Sequence, residues 1–214
     1  MEFDFETLAA DDRYKLLTST IVPRPIAWVS TLSKNGVRNA APFSFFNAMG
    51  KAPALVAIGI MANSDGRMKD TARNILDTGE FVVNLVPRLA AEAMNLTSVD
   101  APADVDELTL AKLDTRPSLK VRPARIAISP VAFECRLHTP IQFPSQLLVI
   151  GEVVQAHVDD SVMLDASRLY VDTPAIYLIG RMHGRGIYAT TDSTFEMPRP
   201  APFVDPLETE KARE

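Results

Sequence analysis

Arg67, Lys69, Asp70 and Thr71 stand together in "DGRMKDTARNILDTGEFVVNLV", residues 65–86, where a polar loop runs into a helical pattern. The spacing predicts a short helix over Thr71–Asp77, with Gly79 just past its end as a left-handed cap. A helix start presents unpaired amides and partial positive charge. With a guanidinium, an ammonium and a hydroxyl beside it, such a start suits a phosphate without any glycine-rich loop. Asp70 would repel that anion, so capping of the helix falls to Asp70 or Thr71. Taken alone, Arg67 and Lys69 read more simply as solvated loop charges.

A second set lies in "RPIAWVSTLSKNGVRNAAPFSFFN", residues 24–47. Two apolar runs flank Asn35-Gly36, the signature of a tight hairpin with positive φ at both central residues. Alternation along Ile26–Leu32 puts Trp28, Ser30 and Leu32 on one face and Val29 and Thr31 on the other. Ser30 and Thr31 close the strand, where polar side chains would reach a ligand at a barrel rim. Past the turn, Ser44, Phe45, Phe46 and Asn47 offer hydroxyl, amide and aromatic ring together, walls suited to a planar, partly apolar heterocycle. The phenylalanines equally suit a core, with Ser44 and Asn47 serving the turn. A third set, "IGRMHGRGIYATTDSTFEMPRP" at 179–200, is a glycine-rich loop carrying Arg181, His183 and Arg185. His183 reads either as a solvated histidine or as a group that meets a ligand or a second subunit.

Other chemistries are absent from the pattern. Cys135 and His138 are three apart on a predicted strand and so face opposite sides, and no compact metal-ligand pair appears elsewhere. There is no nucleophile elbow, no P-loop, and Gly184-Arg185-Gly186 falls short of a dinucleotide fingerprint. The net charge of −5 over 214 residues speaks against nucleic acid as a partner. No apolar run approaches membrane-spanning length, the acidic N-terminus lacks a secretory layout, and the single cysteine fits a reducing compartment. The expectation is a cytoplasmic protein without a membrane or nucleic-acid partner.

The elements that must position these residues are mainly strands. Ile26–Leu32, Val37–Ala40, Leu55–Ile60 and Phe81–Val86 come first; Ile126–Ile128, Val131–Leu137, Leu147–His157 and Ala175–Ile179 follow. Residues 87–114 read as a helical insert, and 201–214 as a disordered tail after a domain spanning 1–200. Short spacers between strands forbid parallel crossovers. The fold class expected is therefore mainly β with inserted helices, an antiparallel, Greek-key-like barrel.

The words "RPIAWVSTL", "APFSFFN", "KDT-RNI", "TGEFVVNLV" and "RMHG-GIYATTD", in this order from about Arg24 to Pro200, resemble the flavin reductase-like family of FMN-binding split barrels. The resemblance implies FMN, with FAD as an alternative, and NADH or NADPH as electron donor. It also implies a homodimer with a flavin site at each end of its interface, and electrons passed to a partner monooxygenase or another acceptor. Carried over, Val29, Ser30 and Thr31 would line the flavin's ring and ribityl side, and Ser44, Phe45, Phe46 and Asn47 its edge. Lys69 and Thr71, with Arg67, would hold the phosphate. Hydride transfer to a flavin needs alignment rather than a protein acid or base, so only His183 is singled out for turnover. An electron-transfer flavoprotein without a nicotinamide site, and a flavin-binding protein without turnover, remain the other readings.

Overall fold

A computed structural model describes residues 1–200, and the predicted tail 201–214 lies outside the described residues. Helix α1 (Ala10–Thr20) precedes β1 (Arg24–Pro25), β2 (Ala27–Leu32), β3 (Arg38–Phe43), β4 (Phe46–Lys51) and β5 (Ala54–Met61). Helix α2 (Asp70–Thr78) leads into β6 (Glu80–Leu85). Two short helices, α3 (Ala91–Leu96) and α4 (Glu107–Leu110), come before the small ribbon β7 (Thr115–Arg116) and β8 (Arg125–Ile126). The long hairpin β9 (Val131–Phe143) and β10 (Gln146–Val158) is followed by β11 (Met163–Asp165), β12 (Tyr170–Val171), α5 (Thr173–Ile176), β13 (Ile179–Arg181) and β14 (Tyr188–Thr190).

Seven strands form one antiparallel sheet in the order β3-β2-β6-β9-β10-β5-β4. Its two edges, β3 and β4, are consecutive in the chain, with only Ser44 and Phe45 between them. That link reaches roughly 10 Å, whereas a flat seven-stranded sheet would hold its edges roughly 29 Å apart. The sheet must therefore curl until its edges nearly meet. The Gly59 amide, on β5, donates to Phe45 O at 2.7 Å and extends the β4–β5 pairing into that link. The result is the expected antiparallel barrel.

Alternation on β2 sorts the core. Val29 faces the barrel interior with Ile58, Phe81, Val83 and Val149. Trp28 faces outward beneath the short helices, with Met94, Leu108 and Ile126. At Gly151 a Cβ would collide with the fully buried Phe81 ring, so β10 passes this point only as glycine. Gly79 ends α2 at φ 70, as its position predicts.

Several expectations need correction. The hairpin after β2 is wider than a two-residue turn: Ser33 N donates to Val37 O, and only Gly36 has positive φ. The 87–114 segment is not continuously helical; a single turn at Arg88–Ala90 runs directly into α3, and an irregular stretch, 97–106, separates α3 from α4. Pro102 interrupts it, and Asp106 starts α4 by accepting from the Leu108 and Thr109 amides. Ala175–Ile179 is split between the helical turn α5, started by the Asp172 side chain, and β13. Helix α1 and edge strand β4 lack a strong pattern: α1 buries only Thr18, and Asn47–Lys51 of β4 are exposed.

One buried carboxylate fixes the loop between β7 and β8. Glu134, fully inaccessible on β9, accepts from the amides of Leu119, Lys120 and Val121 at 2.8, 2.6 and 3.2 Å. His157 Nε2 lies 2.6 Å from the same carboxylate. Burial alone would raise its pKa, but the Leu119 amide, the His157 ring and the Lys120 amide outweigh burial and hold it below the ordinary 4.5. A carboxyl depressed by folding stabilises fully above its unfolded pKa and loses that contribution as pH falls through the folded one. Glu134→Gln should cost about 1–3 kcal/mol at neutral pH. Urea unfolding at a series of pH values should show this deficit shrinking below pH 4.5.

Candidate functional site

Edge strand β3, the loop entering α2 and the irregular stretch 97–106 enclose a cavity of about 480 Å³. Ala41, Pro42, Phe43 and Met68 supply its apolar wall. Arg67, Lys69, Arg73 and Thr71 come from the start of α2, and Ser98–Ala103 lie across from them. The first bond within the helix runs from Arg73 N to Lys69 O at 3.1 Å, which leaves the preceding amides without intrahelical partners. Lys69 is the residue before the helix, and no side chain caps it. Capping by Asp70 or Thr71 is thus corrected. Asp70 is the first helical residue and pairs with Arg73, one turn on. Thr71 turns inward instead.

Each cation at this helix start has a carboxylate beside it. Lys69 Nζ is 3.0 Å from Asp100 Oδ1, across the cavity, and Arg67 Nε is 2.6 Å from Asp65 Oδ2. The Arg67 amide and side chain together hold the exposed Asp65 carboxyl below its ordinary range.

Behind the cavity lies a buried polar network. Asn39 Oδ1 accepts from Thr31 Oγ1 at 3.1 Å and from Thr71 Oγ1 at 2.8 Å. Asn74 Nδ2 donates to Thr31 Oγ1 at 3.0 Å. On its other side, Asn39 Nδ2 donates to Glu107 Oε1 at 3.1 Å, and Ala40 N donates to Glu107 Oε2 at 3.3 Å. Burial raises the Glu107 pKa despite these bonds. The network ties β2, β3, α2 and α4 to one another, and Asn39, Thr71 and Glu107 reach the cavity wall.

Of the residues singled out from sequence, the structure brings Arg67, Lys69 and Thr71 to this cavity. The others lie elsewhere in the chain. Val29 packs in the barrel core, and Ser30 and Thr31 are only 1% and 2% exposed. Ser30 Oγ donates to Ala124 O, and Thr31 belongs to the Asn39 network, so neither side chain stands at an open rim. Ser44 Oγ accepts from Arg24 Nε at 3.4 Å. Phe45 lies over Gly59 and meets Tyr14 edge to face, Phe46 packs on the barrel core, and the exposed Asn47 accepts from the Ala48 amide. His183 is exposed in the β13–β14 hairpin, away from the cavity lining.

Sequence reasoning missed Arg73, Glu107 and the 98–103 stretch. Arg73 was legible, four residues after Lys69 and hence on the same side of the helix. It also missed the buried Arg24, whose guanidinium donates to the carbonyls of Thr18, Ile21 and Met182 and so joins α1 to the β13–β14 hairpin.

An antiparallel barrel thus carries a cation-flanked helix start that opens on an apolar-walled cavity. The chain belongs to the flavin reductase like domain family, whose match covers residues 19–183. It is 41% identical over 201 residues to an uncharacterized protein from Deinococcus radiodurans, spanning 92% of this chain and 88% of that one. Among solved structures, nitrilotriacetate monooxygenase component B from Bacillus cereus is similar with a TM-score of 0.86 and 31% identity, over 92% of this chain and 98% of that one. The 2-nitrobenzoate 2-nitroreductase from Pseudomonas fluorescens follows at 0.85 and 31%, over 96% and 100%. The family places the chain among oxidoreductases with a flavin-related redox function. Among the described residues no helix is long and apolar enough to cross a membrane.

Replacing Asn39 removes the centre of the buried network. Asn39→Ala should destabilise the fold by about 1–3 kcal/mol for each buried group left unpaired. Chemical denaturation checks this, with Asn47→Ala, an exposed control, expected to stay near wild type.

Proposed function

We propose that the protein is an FMN-dependent oxidoreductase that takes a hydride from NADH or NADPH and passes the electrons to a second acceptor. The observation that carries this reading is the pairing, in one cavity, of a cationic helix start with an apolar wall. Its volume of about 480 Å³ falls in the range of small-molecule sites, roughly 300–1,000 Å³. Lys69, Arg67 and Arg73, with the first amides of α2, fit a single phosphomonoester, which favours FMN over FAD. Ala41, Pro42, Phe43 and Met68 fit one face of a planar ring.

When bound, the flavin would supply the centre that accepts hydride and releases electrons. The chain's own residues would bind and orient it. Lys69 would exchange Asp100 for the phosphate, and the 98–103 stretch would keep water from that end. A homodimer completes the reading. The exposed β4 edge, with Met49 on its surface, would face a second copy, and the hairpin carrying His183, away from its own copy's cavity, would meet the nicotinamide or the acceptor at the cavity of that second copy. The similar proteins suggest two acceptor classes, a partner monooxygenase and a nitroaromatic compound.

Mixing FMN-loaded protein anaerobically with NADH and with NADPH should bleach the flavin's visible absorbance with at least one of them. Unchanged absorbance with both would overturn the nicotinamide step and leave an electron-transfer or storage role.

Lys69→Ala tests the phosphate end separately. Loss of a charge-assisted contact costs about 1.5–3 kcal/mol, so FMN affinity should fall roughly ten- to a hundredfold. Riboflavin, which lacks the phosphate, should bind both proteins alike in a fluorescence titration. Equal FMN affinity would remove Lys69 from the site.

A further inference from the structure

A second cavity, of about 270 Å³, shares no residue with the first. It opens where the β7–β8 ribbon meets the end of β10. Arg116, Arg125, His157 and Asp159 are its charged and titratable lining groups. In the antiparallel register Arg116 stands directly opposite Arg125. Like charges facing each other across neighbouring strands repel, and neither arginine forms an ion pair among the described residues.

The arrangement is held from several sides. Arg125 Nε and Nη2 both donate to Pro117 O at 3.2 Å, which spreads the guanidinium across the ribbon. The ribbon is anchored by the Ile126 amide, which donates to the buried Asn84 Oδ1 at 2.9 Å. Glu134 accepts from the amides of Leu119, Lys120 and Val121 beside it and fixes the Nε2 side of His157. Asp159, the carboxylate of the lining, has Oδ1 engaged by the Ser161 amide at 3.0 Å as the start of the next turn. Two opposed guanidiniums on a braced ribbon, beside a fixed imidazole, form a fork for an anion with several oxygens.

We propose that this cavity binds a phosphate or a small phosphomonoester between Arg116 and Arg125. An oxyanion there would bridge the two guanidiniums and replace their repulsion with shared hydrogen bonds. The volume of the cavity admits more than a bare phosphate and less than a dinucleotide, so the ligand class is a small phosphorylated metabolite or the free ion.

Thermal unfolding of the full chain in inorganic phosphate, against chloride at matched ionic strength, tests the proposal. Phosphate at about ten times its dissociation constant should shift the folding equilibrium roughly tenfold. Arg116→Gln, at an exposed position, should melt no lower than wild type in chloride and, combined with Lys69→Ala so that the first cavity no longer contributes its phosphate contact, should lose the phosphate effect. Lys69→Ala, altered only in the first cavity, should keep it. The same phosphate effect in Arg116→Gln as in wild type, or no effect beyond that of chloride, would overturn the assignment. So would an equal effect from succinate, because a dicarboxylate would then satisfy the site as well. Broadening of the phosphorus resonance by Lys69→Ala, but not by the variant that carries both Lys69→Ala and Arg116→Gln, is the expected direct readout.

Discussion

The geometry of the main cavity hangs on one carboxamide. Asn39 receives two hydroxyls on its oxygen and reaches a carboxylate with its nitrogen, and those partners come from β2, α2 and α4. These elements are separated in sequence. Leaving a buried polar group unpaired costs about 1–3 kcal/mol, roughly twice what its hydrogen bond contributes, so the network admits few alternative arrangements. It fixes where the start of α2 stands relative to the sheet edge. The indole of Trp28 adds a second tie, donating to Thr97 Oγ1 at 2.9 Å and holding the beginning of the 97–106 stretch over the cavity.

Barrel closure makes the sheet edge available in the first place. Because β3 and β4 are joined by two residues, they end the sheet at opposite sides and still lie near each other. Phe45, in that link, covers Gly59, and the missing side chain there lets the ring and the backbone bond coexist. On the outer side Arg24 does for the N-terminal helix what Asn39 does for the cavity. It is 6% exposed, burial pushes its pKa down, and it satisfies itself on three backbone carbonyls and the Ser44 hydroxyl rather than on a carboxylate. A guanidinium spread over carbonyls adds bonds in several directions without burying a second charge.

Much of this was legible in the chain because it depends on local period. Alternation on β2 put Val29 and Trp28 on their observed faces, and Gly79 marked the end of α2. The clustering of Arg67, Lys69 and Thr71 at a helix start was likewise written in consecutive residues. What could not be read were contacts between distant segments. Ser30 and Thr31 look like rim residues by their position at a strand end, yet Ala124 and Asn39, far along the chain or across the turn, cover them. Residues 97–106 are placed by contacts to distant segments, Thr97 to Trp28, Asp100 to Lys69 and Asp106 to Arg38. Helix α1 escaped notice because it buries only Thr18 and carries no apolar stripe, its end being held by Arg24 through the Thr18 and Ile21 carbonyls.

The charge balance of the cavity bears on how firmly an anion would be held. A helix start bearing Arg67, Lys69 and Arg73 would repel itself if left uncompensated, and Asp65, Asp100 and Asp70 relieve that repulsion locally. Lys69 and Asp100 form a partly exposed pair, a kind of contact worth about 0–1 kcal/mol. A phosphate making charge-assisted bonds to Lys69 would gain about 1.5–3 kcal/mol from that contact, so the exchange favours the ligand while returning Asp100 to solvent at little cost. The aspartate thereby lowers the net gain without blocking it. Across the cavity from these cations stands the 98–103 stretch. Its hold on the cavity depends on the Trp28–Thr97 bond at one end and the Asn39–Glu107 bond at the other.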